Sequence, residues 1–207
     1  MAKAKTNGTP QLLKPIQRKY ITVRIVGTTP LIQHQWSEKA KRQMREKHGG
    51  KKTKDRDVRD PEREGEDATY RTEKGKYGIP ILAVKSAIIS AAHKDLGIEK
   101  TLVKKSVFVY GAGMGNGVLA MECDKPVIVE DNVRVGMGSA DLRYRPYFYK
   151  WALTFEAELD IELLSTETFL NLLDRAGFGV GIGEWRPEKG GEFGRFQLDS
   201  KYKIKER

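Results

Sequence analysis

The chain has 207 residues, of which 39% are hydrophobic, and 38 lysines and arginines against 28 acidic residues give a net charge of +10. This length suits one domain, or two small ones that share a core, and so basic a balance favours a polyanionic partner. The lone cysteine, Cys123, excludes an internal disulfide, and no apolar run approaches the roughly 20 residues of a membrane span, so we expect a cytoplasmic protein in a reducing setting.

The N-terminal part of the chain combines a basic arm, one strand and one helix. Residues 1–18 are basic but lack the apolar core of a signal peptide, so we predict that they form a disordered arm. A single domain is predicted to follow at 19–199. Tyr20–Val26 alternates β-branched residues and is predicted to be a strand. Ser37 is the predicted N-cap of a helix that continues to His48.

Residues 49–76 are highly charged and almost free of large apolar side chains. Such a segment cannot bury enough surface to offset its ordering entropy, so we predict an inserted, mobile loop. Two roles are open for it: a thumb that orders on a partner, or solvated padding.

The middle of the chain is predicted to contain a helix followed by three strands. The helix begins at Pro80, has apolar residues at helical spacing and ends at Leu96, before Gly97. Lys85 lies beside its apolar stripe and is either a phosphate contact or an ordinary surface lysine. The predicted strands are Lys104–Tyr110, Val118–Cys123 and Pro126–Glu130.

The sequence GAGMGNG at residues 111–117 contains the spacing GxGxxG. A strand-like segment follows it instead of the helix that a dinucleotide site requires, so we predict a hairpin tip.

A stretch rich in arginine and aromatic residues precedes a predicted strand, Trp151–Asp160. In extended backbone Arg143 and Arg145 share one face and Tyr144 takes the other. Aromatic faces stack on unpaired bases and basic residues follow phosphates, which makes these three residues candidate nucleic-acid contacts. Several of the neighbouring rings must lie in the core instead.

The glycine-rich segment Gly177–Phe196 reads GFGVGIGEWRPEKGGEFGRF and follows a predicted helix, Ser165–Ala176. Glycine lets the backbone approach another surface and point amide N–H groups at an anion. The candidate contacts within it are Trp185, Arg186, Lys189 and Arg195. The alternative is a long connection whose glycines only satisfy turns.

A last strand, Phe193–Leu198, and a charged tail, 200–207, complete the predicted elements. Their order predicts an α+β fold with a largely antiparallel sheet and helices on one face, as in ferredoxin-like folds.

Three patches resemble the CRISPR-associated RAMP superfamily, whose members have ferredoxin-like, RNA-recognition-type folds. VRIVGTTPLI is similar to the first strand and turn of those proteins, and GVGIGEWRPEKGGEFGRF to their glycine-rich loop. GIPILAVKSAIISAA resembles the motif that places Pro80 and Lys85 at the start of the first long helix. It departs from that motif after the proline, where Ile81, Leu82 and Ala83 replace small residues and a glycine.

The backbone subunits of that superfamily resemble this chain best, since they carry a mobile inserted thumb and polymerise along a guide RNA without cutting it. The resemblance implies a non-catalytic binder of single-stranded RNA that forms a homo-oligomeric filament, with other effector subunits as further partners and no cofactor. The chain also resembles proteins common in phage genomes, which keeps single-stranded DNA binding and a phage structural role open.

The runner-up function is a metal-independent endoribonuclease. Some RAMP proteins use a histidine near the first turn, and His34 lies in a suitable place for a general acid. The alternative is a histidine that only makes structural hydrogen bonds. Asp55, Asp57 and Asp60 lack the glycine and terminal glutamate of a calcium loop, so we predict no metal site.

Overall fold

The computed structural model describes residues 15–36, 38–50, 59–93, 96–111, 114–135 and 139–207. Within these ranges the strands are β1 (Arg18–Gly27), β2 (Leu31–Ile32), β3 (Gly78–Pro80), β4 (Val107–Tyr110), β5 (Val118–Cys123), β6 (Val127–Val135), β7 (Ser139–Phe148), β8 (Trp151–Asp160), β9 (Phe196–Leu198) and β10 (Lys205–Glu206). The α-helices are α1 (Glu38–His48), α2 (Pro61–Asp67), α3 (Ile81–Ala91), α4 (Lys100–Ser106) and α5 (Thr166–Arg175).

The main sheet is built around β1 and β8, which pair antiparallel from Arg18↔Asp160 to Val26↔Ala152. β9 and β10 lie end to end along the other edge of β1, while β4 and β5 lie end to end along the other edge of β8. The chain order β1–α3–β4–β8–α5–β9 with the sheet order β9–β1–β8–β4 is the β–α–β–β–α–β arrangement of ferredoxin-like folds. The predicted α+β class is therefore confirmed.

Alternating burial along the central strands places the core on one face of the main sheet. Ile21, Val23 and Ile25 of β1 are fully buried, and the residues between them are partly exposed. α3 and α5 cover this face with Val84, Ala87, Ile88, Phe169, Leu172 and Leu173. Ser165 caps α5, since its Oγ accepts the Thr168 N–H, which confirms the predicted start of that helix.

A second sheet, β2–β7–β6, is formed by segments inserted into the ferredoxin-like order. β6 and β7 pair from Val127↔Tyr147 to Val135↔Ser139, so the arginine- and aromatic-rich stretch lies in a hairpin. α2 packs against this hairpin, where a methyl group added to Gly65 would overlap the side chain of Ile128. The hairpin is therefore covered on one face by α2.

The prediction of a mobile loop at 49–76 is wrong for its second half. Asp60 caps α2 by accepting the Arg63 N–H at 3.1 Å, and Ala68 and Thr69 are buried. α2 packs through small residues rather than large apolar ones. The scarcity of large apolar side chains in this segment therefore did not indicate a mobile loop. Residues 51–58 lie outside the described residues.

Three predictions for the middle of the chain also need correction. Residues 104–106 belong to α4 rather than to a strand, because Val103 and Ser106 are buried at helical spacing. α3 ends at Ala91 instead of Leu96. The segment 111–117 joins β4 to β5, which run in the same direction along β8, so it is not a hairpin tip; residues 112 and 113 lie outside the described residues.

The ends of the chain differ from the sequence expectation as well. Residues 200–207 do not form a free tail, since β10 pairs with β1 and the Arg207 N–H donates to the Tyr20 carbonyl at 2.9 Å. Arg18 already belongs to β1, and the final strand begins at Phe196 rather than Phe193. Residues 1–14 and the predicted cap Ser37 lie outside the described residues, and the domain bounds stay a prediction. Among the described helices, none is long and apolar enough to cross a membrane.

Candidate nucleic-acid interface

The glycine loop, Gly177–Phe196, is anchored on the strand β2 and the turn before it. The Glu184 N–H donates to the Ile32 carbonyl at 3.0 Å, and the Gly194 N–H donates to the Pro30 carbonyl at 2.8 Å. Gly183 and Gly194 have φ of 84° and 67°, and an added methyl group would overlap the carbonyl oxygens of Ile32 and Ile182, respectively. These two glycines therefore serve close backbone packing, and the amide of Gly194 is used within the protein rather than offered to an anion.

Trp185 projects from this anchored loop with 48% of its surface exposed. Its φ of 53° is the only positive value at a non-glycine residue within the described ranges. A bulky side chain at positive φ costs about 1–3 kcal/mol and persists where the surroundings enforce it. Here the Phe193 N–H donates to the Trp185 carbonyl at 3.1 Å and holds that conformation. The loop thus holds the backbone of Trp185 in a strained conformation and leaves about half of the residue exposed.

The arginines of the glycine loop already face carboxylates. Arg186 donates to Glu188 at 2.8 and 3.1 Å and to the Gly183 carbonyl at 3.0 Å, so it clamps the loop instead of offering a free guanidinium. Arg195 lies 3.9 Å from Glu192. A hydrogen bond from Ser90 and the charge of Arg186 lower the pKa of Glu188 and keep it ionised.

Lys189 is exposed on the same loop. It adds to the charges that lower the pKa of Glu188, so its ammonium lies close enough to that carboxylate to interact with it. Of the predicted cations on the loop, Lys189 is the one most open to solvent.

α2 covers one face of the β6–β7 hairpin. Arg143 lies on the other face, beside His34. Arg143 Nη1 lies 3.3 Å from His34 Nδ1, and Arg143 Nε lies 3.6 Å from Asp141. Burial lowers the pKa of His34, and the charges of Arg143 and Arg145 lower it further. A lowered pKa reduces the fraction of His34 that is protonated at neutral pH, which is the form that a general acid needs.

The prediction that Arg145 is a surface contact is wrong, because only 2% of this residue is exposed. Its Nη1 lies 3.6 Å from Asp131, and its Nε and Nη1 make no hydrogen bond to any described residue. The Tyr147 hydroxyl donates to the same carboxylate at 3.0 Å, and burial together with that carboxylate raises the pKa of Tyr147 to about 12. Strand alternation correctly paired Arg143 with Arg145 on one face, but only the tertiary structure decides which of them is covered.

Tyr144 and Lys85 point to other parts of the molecule. The Tyr144 ring lies 5.5 Å from the Arg59 guanidinium, next to α2, and Glu130 raises the pKa of Tyr144 through a hydrogen bond. The Lys85 ammonium lies 4.3 Å from the ring centroid of Phe108 on β4. The predicted site residues therefore divide into a loop group, a hairpin group and these two separate positions.

Phe178 is a site residue that the sequence analysis missed. It lies on a π-helical turn, Ala176–Val180, that continues α5 into the glycine loop, and it is 72% exposed. The guanidinium carbon of Arg195 lies 5.0 Å from its ring centroid. A large apolar residue between two glycines was the available signal.

Metal chemistry and thiol chemistry have no visible support in the described part of the chain. It contains no cluster of three or more histidine, cysteine, aspartate or glutamate residues that could hold a metal ion. Burial raises the pKa of Cys123 to about 11, so this thiol stays protonated at neutral pH.

No protein-family profile and no curated protein matches the sequence. The structure is similar to a chain of the cryo-EM structure of the Type III-B Cmr-beta bound to cognate target RNA, with 11% identity and a TM-score of 0.49 over 91% of this chain and 60% of that one. It is also similar to the crystal structure of Cmr6 from Pyrococcus furiosus, with 10% identity and a TM-score of 0.45 over 88% of this chain and 98% of that one. Identities and TM-scores this low transfer no residue role and no activity. The similarity to these two structures is one of fold alone.

Proposed function

We propose that this protein is a non-catalytic binder of single-stranded nucleic acid, with RNA as the preferred strand. The observation that carries the proposal is Trp185, an exposed ring that an anchored loop holds at a strained positive φ. Stacking of an aromatic ring on an unpaired base contributes about 1–3 kcal/mol and tolerates any base. A strand that passes over the glycine loop would place its bases on such a ring.

The charges around this ring fit a binder that uses stacking more than phosphate contacts. Arg186 is held by hydrogen bonds to Glu188, and Arg195 lies over the ring of Phe178, so both are engaged within the loop. Among the predicted cations, we assign the backbone of the strand to Arg143, which lies 3.6 Å from Asp141, and to Lys189, the most exposed one of the loop. Each phosphate contact to a single strand adds about 0.7 to the salt slope of binding. We therefore expect a shallow slope, which Arg143→Ala lowers by about 0.7 and Arg186→Ala leaves unchanged.

The direct test is the affinity of the purified chain for a fluorescein-labelled oligouridine, measured by fluorescence anisotropy. Trp185→Ala should weaken binding about tenfold, since 1.4 kcal/mol corresponds to a factor of ten. Trp36 is a matched control, because it is 52% exposed but lies outside the glycine loop. An equal loss for Trp36→Ala, or no loss for Trp185→Ala, would contradict the assignment.

The same RNA separates the binder from the runner-up nuclease. Incubation in EDTA should leave the RNA intact, in keeping with the depressed pKa of His34. Cleavage that His34→Ala abolishes would overturn the non-catalytic proposal. Oligothymidine in place of oligouridine tests the preference for RNA, and equal affinity would remove that preference.

Assembly along the strand is a further part of the proposal and derives from the sequence resemblance. Mass photometry with long and short oligouridine should show particle masses that grow with strand length. Ordered particles without nucleic acid would support the scaffold alternative instead.

A further inference from the structure

We propose that Phe178, backed by Arg195, is a second stacking site that takes one unpaired nucleobase. This inference rests on the proposed function and adds to it a residue that lies outside the predicted contacts.

The position of Phe178 is fixed by the backbone around it. Its π-helical turn closes with the Gly181 N–H donating to the Ala176 carbonyl at 2.8 Å. A methyl group added to Gly177 would overlap the carbonyl oxygen of Phe196 on β9, so the turn is packed directly against the main sheet. Phe178 is 72% exposed, although the turn that carries it is tightly packed. The ring therefore projects into solvent from a well-packed backbone.

Arg195 occupies one side of this ring and is itself held in place. Its guanidinium carbon lies 5.0 Å from the ring centroid. Its backbone N–H donates to Thr29 Oγ1 at 3.0 Å, and its carbonyl accepts the Thr28 N–H at 2.9 Å. With a cation near one face, most of the exposed surface of the ring must come from the other face and the edges. A base can therefore stack on the open face.

The surroundings of Phe178 favour a nucleobase over an apolar protein surface. A protein interface needs a contiguous apolar patch, whereas a base needs one flat ring. The sequence neighbours of Phe178 are Gly177 and Gly179, and the group on its ring is a guanidinium. Glu192, at 3.9 Å, partly neutralises the charge of Arg195. This part of the loop is therefore better suited to stacking on a base than to binding a phosphate.

The test is the affinity of Phe178 variants for labelled oligouridine at several salt concentrations. Phe178→Ala should weaken binding about tenfold with an unchanged salt slope, because no charge is removed. Phe178→Trp should restore the affinity to within about twofold, and Phe178→Leu should not, because stacking needs a flat ring. Leu163→Ala is the control, since Leu163 is 49% exposed near the opposite end of α5 and should leave the affinity unchanged.

The possible outcomes separate this inference from the proposed function. If the wild type does not bind single strands, both are overturned. If the wild type binds and Phe178→Ala binds equally well, or if leucine replaces phenylalanine without loss, only the stacking site at Phe178 is overturned. If Phe178→Ala instead reduces self-association while the affinity for the oligonucleotide is unchanged, Phe178 is a protein contact and the inference is likewise overturned.

Discussion

The open face of the main sheet, which is the face opposite α3 and α5, and the surface of the glycine loop present their aromatic rings in opposite ways. On the open face, the Tyr110 hydroxyl donates to Glu158 at 2.7 Å, and the Arg207 guanidinium lies 5.0 Å from the Tyr20 ring. On the glycine loop, Trp185 and Phe178 are 48% and 72% exposed. The two tyrosines of the sheet are only partly exposed, whereas both loop rings are exposed, although Phe178 has Arg195 near one side of its ring.

Charged residues of the open face are joined in ion pairs. On the open face, the carboxylates of Glu122, Glu156 and Glu158 pair with Arg24, Arg207 and Arg18, respectively. RNA-recognition domains stack bases on aromatic residues of their sheet. In this chain a network of ion pairs covers the corresponding surface. A shared fold therefore does not locate the site, which we assign to the loop and the hairpin beside it.

The largest expected effect distinguishes a buried ion pair of the β6–β7 hairpin from an exposed pair on the open face of the main sheet. The Arg145–Asp131 pair is buried, with 3% and 15% of the side chains exposed, whereas Glu122 in the Arg24–Glu122 pair is 61% exposed. Asp131→Asn should lower the free energy of unfolding by about 3 kcal/mol, because it leaves a buried guanidinium without its carboxylate. The matched change Glu122→Gln should cost less than about 1 kcal/mol. Urea denaturation measures the free energy of unfolding of both variants. Similar losses would contradict the expected difference between the buried and the exposed ion pair.

A second prediction concerns the packing of the glycine loop. Gly194→Ala should lower the free energy of unfolding by about 2 kcal/mol and also weaken nucleic-acid binding, because the methyl group overlaps the Ile182 carbonyl at a positive φ. Gly179→Ala is the control, since a Cβ there meets nothing within 4 Å. If Gly194→Ala folds and binds like the wild type, the loop is not anchored as described.

A third prediction concerns the backbone strain at Trp185. Trp185→Gly and Trp185→Ala both remove the ring, but only glycine adopts a φ of 53° without a steric penalty. The glycine variant should therefore be more stable than the alanine variant by about 1 kcal/mol in thermal unfolding, while the two bind oligouridine equally weakly. Equal stability would show that the strain is absent in solution.

The smallest expected effect is the pH dependence that His34 contributes. Burial and the nearby arginines lower the pKa of His34 in the folded state, so the unfolded chain takes up this proton first as the pH falls. Its contribution to stability is full above the unfolded pKa of about 6.5 and is lost as the pH falls from there towards the folded pKa. The loss is at most about 1.4 kcal/mol per pH unit. His34→Gln should flatten this part of the stability profile, and an unchanged profile would contradict the assigned direction.

Local patterns were sufficient to predict much of the fold. The alternation in Trp151–Asp160 and the cap at Ser165 depend on neighbouring residues, and both elements formed as expected. α2 was missed because its packing depends on Gly65 fitting against Ile128, a contact between residues distant in sequence. The path of the segment 111–117 likewise depends on β8, which follows it in the chain.

The candidate site was less accessible from sequence than the fold. The arginine- and aromatic-rich composition predicted the segments that we assign to the site, but exposure separates Arg143 from Arg145, and the contact with Glu188 decides what Arg186 can do. Composition shows how many cations a segment contains, but not which carboxylates pair with them in the fold. Phe178 was not among the predicted contacts, and its exposure follows from the π-helical turn that carries it.

Mapping of photocrosslinks between the protein and a single-stranded RNA, with the crosslinked peptides identified by mass spectrometry, tests the central claim most directly. We expect crosslinks at Trp185 and Phe178 on the glycine loop. Crosslinks confined to Tyr20 and Tyr110 on the open face of the main sheet would contradict it.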